Sequence, residues 1–381
     1  MRRPALLLIA LALPAAVACQ DDGAADVRDA AADAALTDAG LGCDGALDCQ
    51  DDDPCTTATC AAGRCVFGRP AAELVAGDPI PVAVGPHAVA LVDGELYIAK
   101  GLEGLEIWDL SAFPLPPSLR LERHLEGEEG SVDHLAVATD RIVIGEQAGV
   151  VRALDRASGA PVGVAWAASD EVRGVVFQGG RVFVASYAKG IEVVQPGDWS
   201  APSRTGRADT PGRASALARQ GTLLAVADGL AGLALVDLTD AGPVRRADVL
   251  LETAGRAEGV ALQSDRVLLA EGPAGAGIID LLPGGPTRLA TFLPAEPVAD
   301  VALLGRDLGV VVAGNGALIV DLQAPEAPTV WLAASTATPA HHVAAEGRRF
   351  AVATDDAVQV FEVVCPEDAP DAGIPADGGP P

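Results

Sequence analysis

Four of the five histidines in this 381-residue chain fall into two columns of a repeating pattern. His87 and His341 stand just before short apolar runs, and His134 and His342 stand one residue later. Asp133, Arg173 and Glu258 share the first column, and Asp300 shares the second. Imidazole nitrogens and a carboxylate brought to one point can hold a divalent metal. His87, His341 and His342 are the metal candidates, with Asp133 or His134 as a further ligand. The same side chains can instead line a wet channel mouth and satisfy loop backbone groups; this plainer reading leads, and it calls for no cofactor. The chain has no H-E-x-x-H, no G-x-S-x-G, no G-x-x-x-x-G-K-[ST] and no G-x-G-x-x-G, the strings that mark common metal, nucleophile and phosphate sites. No catalytic residue is assigned, and the non-enzymatic reading stands ahead of the enzymatic one.

A repeat must position these residues. "GLEGLEIWDL" at 101–110 returns almost unchanged as "GLAGLALVDL" at 229–238. The final residue of the apolar run recurs as Asp109, Asp155, Gln195, Asp237, Asp280, Asp321 and Glu362, at spacings of 40 to 46 residues. Ala99, Gly145, Ala185, Ala227, Ala270, Ala313 and Ala353 form a second column with the same period. Each copy has an apolar run, a polar turn, a second run ending near alanine, a Gly-containing turn, a third run ending in acid, and a weaker fourth run after a Pro-rich turn. Short runs bounded by Gly, Pro, Asp and Ser are strands. Seven copies of four antiparallel strands predict an all-β, seven-bladed β-propeller of four-stranded blades. The histidine columns then fall where the chain enters the innermost strands, at one mouth of the central channel. The second column is Ala88, His134, Gly174, Ala216, Gly259, Asp300 and His342, mostly small where seven strands crowd an axis. The acid closing each third run reads as structural, because a carboxylate there can accept hydrogen bonds from the following turn. A single site would not need so many copies.

"LALVD", "ALIVD" and "GIID", preceded by "VAD", "VAG" and "LAE", resemble the LVIVD repeat, which implies propeller blades in bacterial surface proteins. The resemblance runs over about residues 72–364 and implies fold and exterior location, with no established chemistry. It is weaker in copy three, which ends in Gln195, and in copy seven, "VQVFEVV".

The N-terminal region predicts export. Arg2 and Arg3 precede the apolar "ALLLIALALPAAV", too short to span a bilayer comfortably. "AVAC", Ala16 to Cys19, resembles a bacterial lipobox, which implies lipidation of Cys19; Ala-Val-Ala is also an acceptable site for ordinary signal peptidase. Residues 1–18 are thus a lipoprotein signal peptide and 19–42 an acidic, disordered tether. Gln20 after the cysteine points to the outer membrane or cell surface. "CQDDDPCTTATCAAGRCVF" within a cysteine-rich segment, 43–70, resembles the slime-mould-type cysteine-rich repeat, which implies a small disulfide-stapled knob. Residues 71–365 are the propeller, and 366–381 an acidic Pro/Gly tail.

Cysteine parity adds one expectation. With Cys19 lipidated, six cysteines remain: Cys43, Cys49, Cys55, Cys60, Cys65 and Cys365. Five in one segment cannot pair among themselves, so full oxidation within the monomer makes one of them reach Cys365. The segment Glu73–Val84 should close the ring as the outermost strand of the last blade, paired with Val358–Val364. Cys65 is nearest in sequence to that strand, so Cys65–Cys365 is the preferred pair. A free Cys365 thiol or a cross-link to another molecule are the alternatives.

The formal charge of −27 excludes a phosphate-backbone partner, since nucleic-acid binders present basic stripes. The leading function is a monomeric, envelope-anchored, non-enzymatic propeller, lipid-bound to the membrane, that binds a protein or glycan. The alternatives are an extracellular propeller hydrolase or lyase with its site at the channel mouth, and a structural subunit of an envelope assembly.

Overall fold

The computed structural model describes residues 55–61, 64–124, 130–239, 242–251 and 253–365. The expected signal peptide and tether, with Cys19, Cys43, Cys49 and the expected C-terminal tail, lie outside the described residues. The chain divides into two compact units. To the smaller unit belongs most of a two-stranded hairpin, Thr57–Ala61 with Arg64–Gly68, closed by Thr59 Oγ1 donating to the Val66 carbonyl at 3.3 Å. Cys60 and Cys65, within that hairpin, are each disulfide-bonded.

The larger unit is a seven-bladed β-propeller. Six blades are consecutive four-stranded antiparallel sheets, and the seventh is completed from the N-terminal side. The innermost strands are Ala88–Val92, His134–Val137, Val172–Gln178, Ala216–Gln220, Gly259–Gln263, Val298–Leu303 and Ala340–Glu346. Each lies against the next, and the seventh lies against the first. The second strands, such as Glu95–Ala99 and Leu223–Ala227, are buried on both faces, which explains why they read as continuous apolar runs rather than alternating ones. The outermost strands, such as Ser118–Arg123, are mostly exposed.

The core is divided rather than central. Seven hydrophobic clusters each fill one interface between neighbouring blades. Between blades three and four, for example, Phe183, Val193, Leu224 and Val236 meet. The doubled decapeptide forms the turn from second to third strand. Gly104, Gly232 and Gly275 take positive φ of 96°, 83° and 97°. A Cβ there would lie within 2.0 to 2.4 Å of a carbonyl oxygen in the outermost strand. Only glycine admits that approach, so the turn keeps its second glycine in blades one, four and five.

The ring closes as the sequence predicts, with one interruption. Glu73 pairs with Val364 and Ala76 with Phe361; Ile80 and Pro81 then pair with Val358 and Ala357. Gly77–Pro79 breaks the expected continuous strand, although the Gly77 N–H still reaches the Val360 carbonyl at 2.9 Å.

The expected Cys65–Cys365 bond is corrected: Cys365 bonds to Cys55, with Cα atoms 5.3 Å apart. The hairpin supplies the reason. It folds the chain back on itself, so Arg69 Nη1 donates to the Cys55 carbonyl at 3.0 Å and to Thr56 Oγ1 at 3.3 Å. Cys55 thereby stands next to the start of the closing strand despite its distance along the chain. Both sulfurs sit in the core with Phe350 and Phe361, whose rings stack at 5.2 Å.

Candidate functional site at the channel mouth

Two sets of loops build one mouth of the channel: those entering the innermost strands and those joining second to third strands. They are braced to each other. Gly101 exchanges both backbone hydrogen bonds with Val132 at 2.9 Å, Gly229 does the same with Ala257, and the Val298 N–H donates to the Gly272 carbonyl at 2.9 Å.

The structure gives every predicted rim residue but His134 a partner of its own. His87 Nδ1 lies 2.7 Å from Asp133 Oδ1. The buried Asp133 also accepts from Ser131 Oγ and from the Gln147 N–H. Burial raises its pKa, but these hydrogen bonds and His87 outweigh it and hold the carboxyl below its usual range. His341 Nε2 lies 2.7 Å from Asp355 Oδ1. Asp300 accepts the Val301 N–H at 2.9 Å and the Val343 N–H at 3.1 Å, with His342 Nδ1 3.8 Å from its second oxygen. Glu258 pairs with Arg256 at 3.1 Å. The three metal candidates therefore face three different carboxylates. Among the described residues no group of three His, Cys, Asp or Glu is arranged to hold a metal.

His134 is the exception, an imidazole inside the channel with no hydrogen-bond partner of its own among the described side chains. Burial pulls its pKa down to about 4; Asp133 opposes this, while His342, Arg173 and His87 add to it. It is a neutral ring at neutral pH. The carboxylates of the second and third strands are also spoken for. Glu146 meets Arg152, Glu192 meets Arg204 and Ser169, and Glu271 meets Arg288. The strand-end acids act on their turns: Asp109 accepts from the Ser111 N–H at 2.8 Å, Asp155 from Ser158 at 2.9 Å and Asp321 from Gln323 at 3.1 Å.

Sequence reasoning missed a second feature of this mouth. Tyr187, in a 3-10 turn Tyr187–Lys189 of blade three, lies against two guanidiniums. Arg173 stacks 4.8 Å and Arg213 5.1 Å from its ring centre. Arg213 also donates to the Tyr187 hydroxyl at 3.0 Å. That bond, with Arg256 adding to it, holds the phenol below its usual pKa of 10. Leu102 and Leu230, the second letters of the doubled decapeptide, project from the second-to-third-strand loops of blades one and four with 78 % and 82 % of their surface exposed. The signal for the leucines was in the sequence, since an apolar residue between two turn glycines has nothing to pack against.

No protein family matches the chain by sequence, and no curated protein matches it. Solved structures do. The RRP9 WD40 repeats superpose with a TM-score of 0.61 at 12 % identity, covering 76 % of this chain and 100 % of that one. U3-55K superposes with a TM-score of 0.61 at 11 % identity, covering 76 % and 98 %. At such identities the likeness shows the propeller fold alone.

Proposed function

We propose that this protein is an envelope-anchored, non-enzymatic propeller that binds a protein or glycan partner at the mouth described above. The observation that carries the reading is the Tyr187 cluster, an aromatic ring against two arginines on an otherwise acidic molecule. Tyrosine and arginine are the residue types that most often anchor protein interfaces. Leu102 and Leu230 extend the contact surface on the same side. The satisfied rim carboxylates weigh against the hydrolase or lyase reading, which needs a convergent, unspent acid and base. The LVIVD-like and slime-mould-like resemblances and the lipobox-like "AVAC" support an exported, lipid-anchored protein in the outer membrane or at the cell surface.

Two experiments test the reading. A photo-crosslinking residue placed at Leu230 in producing cells should give a discrete adduct that is lost with Arg213→Glu. Placed at Val164 or Val330 on outermost strands, it should give none. Adducts from the outer sites alone would favour the assembly-subunit reading, and adducts from neither would overturn partner binding. Cys19→Ala should release the protein from the detergent phase; unchanged partitioning would remove the lipid anchor.

A further inference from the structure

The opposite end of the blades carries a departure from the repeat that no mouth residue explains. Where an arginine opens a second strand, an acid of the third strand faces it. Arg141 lies 3.6 Å from Asp155, Arg349 lies 2.9 Å from Glu362, and Arg266 forms a fork with Asp280. Arg181 holds the same place in blade three, but the facing residue is Gln195. Its amide turns away and donates to the Gly180 carbonyl at 3.0 Å.

A second departure meets the first across the interface. The fourth residue of the innermost-strand pattern is apolar in six blades: Leu91, Val137, Phe177, Leu262, Leu303 and Ala345. In blade four it is Arg219. Its guanidinium lies over the Phe183 ring at 4.9 Å. Its Nε and Nη1 are buried and have no hydrogen-bond partner. Arg181 is the charge that acts on it, and it is of the same sign. Other interfaces put opposite charges at this end. Arg156 of blade two reaches Glu95 of blade one at 3.0 Å, and Arg306 of blade six reaches Asp265 of blade five at 2.8 Å. Among the described residues neither Arg181 nor Arg219 has a carboxylate within ion-pair distance. Two neighbouring like charges, of which Arg219 has buried unmet donors, are costly unless a counter-charge joins them. A cleft of about 230 Å³ opens beside Arg181, which lines it with Gln195, Thr205 and Thr239 over Val193 and Leu238.

We propose that this cleft between blades three and four binds an oxyanion, a phosphate or a carboxylate, at Arg181, with the neighbouring Arg219 adding to the positive field from within the interface. The ligand supplies the negative charge that the repeat provides at other blades and withholds here. An arginine fork suits either oxyanion, because both present paired oxygens to parallel N–H donors.

The test uses thermal melting of the purified propeller-containing chain in sodium phosphate, sodium acetate and sodium chloride at matched ionic strength. Phosphate or acetate should raise the melting temperature saturably by at least about 3 °C over chloride. Arg219→Leu restores the residue type of the other blades, and Gln195→Asp restores the missing acid, so both variants should fold. Each should melt higher than the parent in chloride and lose the anion response. A response to phosphate alone assigns a phosphate-type ligand, and a response to acetate alone assigns a carboxylate. No response beyond chloride, or an equal response in both variants, overturns the proposal.

Discussion

Single residues carry this protein's pH dependence and its most exposed energetic risks. The ordinary histidine pKa is 6.5, and His134 in the folded channel sits at about 4. Above pH 6.5 the ring is neutral in both states and adds no pH dependence. Between 6.5 and 4 the unfolded chain takes up a proton that the folded protein refuses, so stability falls across that window and levels off below it. We expect a loss of roughly 1–3 kcal/mol from this group. His134→Ala, which copies Ala88 and Ala216, should abolish it; urea midpoints at pH 7.5 and 4.5 that fall equally in both proteins would refute the assignment. Asp280 makes the complementary case. Its partner Arg266 is 1 % exposed, and Asp280→Ala would strand that cation at a cost of about 3–5 kcal/mol. Arg266→Leu should cost far less, since Leu223 and Leu308 stand opposite Asp237 and Asp321 elsewhere in the ring. Denaturant unfolding of the two variants ranks them. Neither pairing could be read from the chain. The repeat columns placed His87 and Asp133 at one rim, but which carboxylate each imidazole meets depends on side-chain torsions across blades.

Strands were the most legible level, because each is an apolar run punctuated by turn residues and the period repeats often enough to average out exceptions. Gln195, the weakest repeat letter, still ends a proper strand, since burial of Ile191 to Val194 fixes the strand without help from its last residue. The closing strand shows the limit. Its pairing with the last strand followed from topology, whereas its break at Gly77–Pro79 follows from local contacts: a Cβ on Gly77 would lie 2.9 Å from the Phe113 ring. Leu74 packs on the core between blades six and seven. Leu74→Ala takes that side chain out of the core and should cost roughly 2–3 kcal/mol. Hydrogen exchange should then accelerate at Val358–Val364 and leave blades two to five unchanged. Uniform acceleration around the ring would show that closure is not local.

At the scale of the whole molecule the ring has two fasteners, a strand and a disulfide. Parity gave the expectation that, with all six cysteines oxidised within the monomer, one of the N-terminal segment reaches Cys365. The choice of Cys55 over Cys65 was hidden, because it depends on a hairpin that brings sequence-distant residues together. The bond closes a loop of 310 residues, for which chain entropy gives an upper bound of about 5–6 kcal/mol. Cys365→Ser should therefore lower the melting temperature while near-native far-UV circular dichroism persists at 25 °C. An unchanged melting temperature would show that the closing strand alone holds the ring.

The same bond also decides how the molecule carries tension. Pulled by its two ends, the chain passes force from Cys55 straight into Cys365, and every blade lies in the bypassed loop. About 1000 Å of contour length is thus withheld from extension. In single-molecule stretching the oxidised protein should behave as a short, nearly inextensible link, and reductant should release the stored length. A ring inserted into a strained tether this way is protected from being pulled open blade by blade, for as long as one covalent bond remains oxidised.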